Sequence, residues 1–183
     1  MIAECLIFLA TAIPTNEFVD KAYIDQYRSC DKIITREIRD HSDVLIEFFG
    51  HDNDELSTAI KVVWCESRGN PKALRTTEGN YDTGLFQFVS WTWNWVAEMY
   101  DLPMWNDWVI MYHDRPYTSE KVSRSSMGFS QEKAQYTKYY NTKFAYLLSQ
   151  EIYKQKWKDW SSSEWCWGDT DKWLRLVKQE RSM

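Results

Sequence analysis

The chain has 183 residues and a formal net charge of −5, with 44% hydrophobic and 27% charged residues. This is long enough to bury the core of one globular domain with room for an extension, and too apolar for an intrinsically disordered chain. The acidic balance excludes broad, sequence-independent nucleic-acid binding, which needs a basic surface.

In chain order, the N-terminus reads MIAECLIFLATAIPTNEF. Its apolar run from Leu6 to Ile13 resembles a short signal-peptide core, yet it lacks a basic leader and contains Glu4. It is too short to span a bilayer as a helix, so stable membrane insertion is not expected. Residues 1–14 therefore read either as an export signal or as a packed N-terminal segment.

From Thr15 to Phe49, apolar residues recur at helical spacing: Phe18, Val19, Ala22, Tyr23, Tyr27, Cys30, Ile33, Ile34, Ile38, Leu45 and Phe48. Such a stripe predicts an amphipathic helix or helix pair, with a break at Asp40–Asp43. Residues 15–50 form an N-terminal helical extension in this reading, and 51–183 the main domain.

Gly50–Asn53 reads as a turn. Asp52, with Glu55 three residues on, has capping-box character and starts the next helix. Leu56, Ala59, Ile60, Val63 and Trp64 make its apolar face, and Gly69 and Pro71 stop it. Thr76–Tyr81 has turn chemistry at Gly79-Asn80 and predicts a small hairpin. A helix is expected over Ser90–Tyr100, a loop-rich insertion over 101–129, a helix from Ser130 to Trp157, and a short C-terminal helix carrying Trp173, Leu176 and Val177.

The cysteines are Cys5, Cys30, Cys65 and Cys166. Four cysteines allow three full pairings, and the sequence does not choose among them. No C-x-x-C pair is present, which argues against a structural zinc site. His41, His51 and His113 are scattered and suggest no metal centre. The 11 Trp and 11 Tyr are the compositional outlier. Each could be core, but as a population they also suit a cleft that stacks on sugar rings.

Two acids carry the chemistry. Glu66 falls in the last turn of its helix, where the helix dipole is negative and Val62 and Val63 lie one turn earlier. Both surroundings favour the protonated carboxyl, which suits a general acid. Asp82 lies between Tyr81 and Thr83 in a polar stretch and precedes Gly84, so it is expected to be wet, hydrogen-bonded and charged. Glycoside hydrolysis commonly uses two such unlike carboxyl groups.

The run Glu66-Ser67-Arg68-Gly69-Asn70-Pro71-Lys72-Ala73, followed by Gly84-Leu85-Phe86-Gln87-Phe88, resembles the catalytic segment of the lysozyme-like superfamily. That group includes lytic transglycosylases, goose-type and animal-type lysozymes, and resuscitation-promoting-factor domains. The close resemblance covers residues 60–95; a looser one reaches 55–167 through Trp91 or Trp93, Asn141–Ala145, Trp160 and Cys166. The N-terminal helical region and the insertion at 101–129 depart from the family pattern.

The resemblance implies a mainly α (α+β) fold, two-lobed and lysozyme-like, with a small β-hairpin region holding Asp82. It implies Glu66 as general acid and Asp82 as second carboxylate. Ser67 and Gln87 would support Glu66 or the substrate, and Tyr81, Phe86 and Trp93 would be cleft aromatics. It also implies a Cys65–Cys166 disulfide, worth about 3–5 kcal/mol for so long a loop.

The implied activity is hydrolysis of the β-1,4 bond between N-acetylmuramic acid and N-acetylglucosamine in peptidoglycan glycan strands. Two alternatives stand beside this muramidase: a lytic transglycosylase forming 1,6-anhydromuramyl ends, and a noncatalytic peptidoglycan-binding virion module. No metal or organic cofactor is required. The expected setting is extracellular, periplasmic or phage virion-associated, and the expected state a monomer.

Overall fold

A computed structural model describes residues 1–12, 20–77, 80–104, 131–153 and 156–183; the side chains of residues 74, 76, 77, 80, 81 and 131–137 lie outside the description. The insertion predicted at 101–129 falls almost wholly outside the described residues. The chain divides into two compact units. One joins Met1–Gly69 to Asp159–Met183, and the other is Asn70–Lys158. Among the described residues the architecture is mainly α with one small antiparallel sheet, the class the sequence led us to expect.

The first unit begins with α1 (Ile2–Thr11), which buries Ile2, Ala3, Cys5, Leu6 and Leu9. The Ala3 amide donates to Ser57 Oγ at 3.2 Å. Helix α2 (Lys21–Ile33) starts at Asp20, whose carboxylate accepts from the Ala22 amide. A Cys5–Cys30 disulfide joins α1 to α2. Tyr23 and Tyr27 are half-buried and Cys30 is buried, while Ala22 and Ile24 are exposed. The burying stripe of α2 is thus narrower than its apolar content suggested.

Short helix α3 (Arg36–Arg39) is capped by Thr35, and α4 (Ser42–Phe49) buries Val44, Leu45 and Phe49. The break between them falls within the predicted Asp40–Asp43.

Helix α5 (Asn53–Ser67) is the centre of this unit. Asp52 Oδ1 accepts from the Asp54 and Glu55 amides at 2.8 and 3.2 Å, satisfying two of the otherwise orphan N–H groups. Leu56, Ala59, Ile60, Val62, Val63 and Trp64 are all buried, so α5 is covered on most of its circumference.

Later residues complete the unit: α8 (Glu164–Trp167) and α9 (Thr170–Glu180), the latter capped by Asp169. Trp173 is buried and meets Trp64 edge-on at 5.8 Å. The Arg181 guanidinium donates to the carbonyls of Asp31 and Ile34, fastening the chain end to the end of α2.

The second unit is built on strands β1 (Leu74–Thr77), β2 (Asn80–Thr83) and β3 (Phe88–Val89), in the order β1-β2-β3. The expected hairpin therefore gains a third strand. β2 starts at Asn80, so Asn80 belongs to the ladder rather than to the turn; Gly79 lies outside the described residues.

Helix α6 (Ser90–Tyr100) follows β3 directly and matches its predicted span. Helix α7 (Gln131–Tyr146) continues into a π-helical segment at Leu147–Ile152. Their buried faces meet in an aromatic cluster. Trp93 and Phe144 rings lie 4.2 Å apart, and Phe88 lies 6.2 Å from Trp93 and 6.3 Å from Phe144.

Candidate functional site

Glu66 is half-buried in the last turn of α5, in the first unit. Its neighbours are fixed by three separate devices. Cys65 is bonded to Cys166, with Cα atoms 6.1 Å apart, which ties this turn covalently to α8. The Ser67 hydroxyl donates back to the Val63 carbonyl at 3.1 Å, so its proton is spent within its own helix. Arg68 leaves the helix in the left-handed region at φ 56°, followed by Gly69 at φ 75°.

A β-carbon at Gly69 would stand 3.0 Å from Glu37 backbone and side-chain atoms, so this stop needs glycine for both conformation and space. His41 Nε2 lies 2.9 Å from the Gly69 carbonyl, holding the stop from the loop before α4.

Arg68 does more than end the helix. Its Nη1 donates to the Trp64 and Cys65 carbonyls at 2.6 and 3.2 Å, its Nε meets Glu180 Oε2 at 2.8 Å, and its Cζ lies 3.8 Å over the Trp64 ring. A guanidinium at the C-terminal end of a helix satisfies free carbonyls and opposes the helix dipole. Sequence reasoning named Arg68 only as part of a motif; a basic residue at a helix end was the available signal.

Asp82 is in the second unit, on β2, directly opposite Arg75 of β1. It is 6% exposed; its Oδ2 accepts from Nε of Arg75 at 2.7 Å and forms an ion pair with Nη2, also at 2.7 Å. The expectation of a solvated Asp82 is therefore corrected. The side chain is buried, and an ion pair takes the place of water. Arg75 was missed because its pairing depends on strand register, which the assumed turn position shifted.

The turn at 84–87 is heavily braced. Gly84 has φ 80° and Gln87 φ 52°. The Gln87 amide group donates to the Ala73 and Gly84 carbonyls at 3.1 and 2.9 Å, so it supports backbone. Buried Asn141 of α7 accepts from the Phe86 amide at 2.8 Å and donates to the Thr83 carbonyl at 3.0 Å. The sequence resemblance included Asn141 but gave it no role; only the fold brings it to this turn.

Phe86 and Trp93 were expected as cleft aromatics. Both are fully buried, and Trp93 Nε1 donates to the Pro103 carbonyl at 2.8 Å. They form the core of the second unit and present no face to a ligand. Tyr81 lies in β2, and its side chain is outside the described residues. Trp91, which shares α6 with Trp93, is the exposed tryptophan of that helix's first turn.

Among the described residues, no group of three or more His, Cys, Asp or Glu side chains could hold a metal ion, and no helix is long and apolar enough to cross a membrane. No curated protein and no solved structure matches the chain. A family model described as "Transglycosylase SLT domain" matches residues 46–147, more than half of the chain. That window holds α5 with Glu66, the whole sheet and the Asn141-braced turn. The match implies a peptidoglycan substrate and lytic-transglycosylase-like cleavage of it. The chain belongs to the transglycosylase SLT domain family, within the lysozyme-like superfamily.

Proposed function

We propose that this protein cuts the β-1,4 bond between N-acetylmuramic acid and N-acetylglucosamine as a lytic transglycosylase. Glu66 protonates the leaving glycosidic oxygen. The resulting carboxylate then takes the proton of the muramyl C6 hydroxyl, whose oxygen closes on C1 to give a 1,6-anhydromuramyl end. One side chain thus serves as acid and then base. The observation that carries the reading is the Arg75–Asp82 pair, with both 2.7 Å contacts on Asp82 Oδ2. A carboxylate already paired with a guanidinium through a charge-assisted hydrogen bond is a poorer nucleophile than an unpaired one. A mechanism resting on Glu66 alone needs no second carboxylate.

Hydrolysis is the second reading. Asp82 still supplies a carboxylate two residues before Gly84, and it would stabilise the oxocarbenium-like state or attack the anomeric carbon. Mass spectrometry of digested cell walls separates the two. Anhydromuramyl ends, lighter by one water than reducing ends, support the transglycosylase; hydrated reducing ends support the muramidase. Glu66→Gln should abolish turnover and keep binding. A wild-type protein that binds walls and releases no fragments would instead be a noncatalytic module.

Ser67 and Gln87 contribute by holding backbone around the acid and the turn. The substrate and the two disulfides both suit a periplasmic, extracellular or virion-associated setting, where cysteines stay oxidised.

A further inference from the structure

Arg75 presents an unusual combination. Its side chain is 60% exposed, while its partner's is 8% exposed. Nε and Nη2 both converge on Asp82 Oδ2, and among the described residues Asp82 is its only polar partner. Nη1 makes no polar contact among the described residues, and the side chain as a whole is largely exposed.

Stability alone accounts poorly for this pair. Burying a carboxylate carries a desolvation penalty, and apolar residues of similar volume are often as stable or more so. What the arrangement does supply is orientation. A free arginine samples many rotamers and loses that freedom when it binds. An arginine already clamped along one edge presents its remaining donors at lower entropic cost. Guanidinium donors of this kind match a carboxylate.

The substrate class offers such a group. Muramyl residues carry a lactyl ether whose carboxyl is either free or extended by a peptide with its own carboxylates. The protein has a net charge of −5, so its overall field repels an anionic strand. A fixed local cation would offset that repulsion where the strand binds.

We infer that Arg75, held by Asp82, is a specificity-determining residue that recognises a carboxylate on the glycan strand. Asp82 then acts as a positioning residue for Arg75. This rests on the glycan-cleaving reading above.

The test measures binding in a Glu66→Gln background, so that no substrate is consumed. Three probes are used: peptide-bearing glycan strands, strands stripped of peptide with free lactyl carboxylates, and neutral N-acetylglucosamine oligomers. Adding Arg75→Ala should weaken binding of at least one anionic probe about tenfold and leave the neutral oligomer unchanged. Loss confined to peptide-bearing strands assigns the carboxylate to the peptide; loss on stripped strands assigns it to the lactyl group. The affinity for the anionic strand should also become less salt-dependent.

Arg75→Lys, which keeps the charge and loses the fork, guards against a folding defect from an unpaired Asp82. It should retain the salt dependence and lose part of the affinity. Equal loss on neutral and anionic probes, or an unchanged salt dependence in Arg75→Ala, overturns the inference. If wild type releases no fragments from cell walls, or Glu66→Gln still cuts, the glycan-cleaving reading itself fails, whatever the affinities show.

Discussion

The side-chain amide of Asn141 occupies the space that a β-carbon on Gly84 would need. An added β-carbon would stand 2.4 Å from Asn141 Nδ2, and Gly84 also has φ 80°. The nitrogen cannot swing aside without losing its bond to the Thr83 carbonyl. Gly84→Ala should therefore destabilise the protein by about 2–4 kcal/mol. Asn141→Ala leaves the Phe86 amide and the Thr83 carbonyl without their partner and should cost about 2–3 kcal/mol. Because one change relieves the clash made by the other, the double variant should lose less than the sum. Urea unfolding of all four proteins checks the coupling, and strict additivity would refute it.

Arg68 joins three interactions in one side chain, so its loss should exceed that of an ordinary surface arginine. Arg68→Ala is expected to cost about 1–2 kcal/mol through the uncapped carbonyls and the lost contact with Trp64. Glu180→Ala should cost below about 0.5 kcal/mol, because both partners of that ion pair are more than 40% exposed. Thermal unfolding would show the difference as unequal shifts in Tm. Equal shifts would mean that the ion pair, rather than the cap, is the useful part.

Lys61 gives a pH-dependent prediction. It is buried on α5, and its Nζ donates to Thr170 Oγ1 at 3.3 Å. Burial lowers its pKa below the ordinary 10.5, partly opposed by Asp169 and Asp54. The unfolded chain then holds more protons than the folded one between the lowered value and 10.5, so stability rises with pH across that window. Lys61→Met removes this contribution. Its stability relative to wild type should be greatest near neutral pH and decline as pH approaches 10.5. Denaturation midpoints at pH 7 and pH 10 test this; a constant difference would show that Lys61 does not titrate differently on folding.

The two disulfides should differ in worth. The cysteines of Cys65–Cys166 are 101 residues apart in sequence and those of Cys5–Cys30 are 25 apart. Chain-entropy arguments give about 4–5 kcal/mol for the longer loop and about 3–4 for the shorter. Paired Cys→Ser variants measured by guanidinium unfolding should follow that order. Only the Cys65/Cys166 pair should also lower turnover at temperatures where both variants remain folded, since Cys65 precedes Glu66.

Much of this was legible because the signals were local. The Asp52 cap, the Gly69 stop, the Ser90–Tyr100 helix and the C-terminal helix each follow from a few adjacent residues. The motif around Glu66 drew attention to Cys65–Cys166 through family resemblance, and the structure contains that bond. Non-local features were harder to see. Placing the turn at Gly79-Asn80 moves the partner of Asp82 from Arg75 to Thr77, and with it the whole electrostatic setting of the acid. Phe86 and Trp93 could equally line a cleft or fill a core. Their burial depends on distant partners: Trp93 packs on Phe144 and Phe86 stacks with Trp157, both contributed from far along the chain.

The bond between Cys65 and Cys166 closes a covalent ring that contains every residue of the second unit. A protease that cuts once anywhere within residues 70–158 therefore cannot release a piece. On a gel without reductant the nicked protein should migrate as one band, and thiol treatment should split it into two. A clipped preparation would thus pass for intact protein until it is reduced.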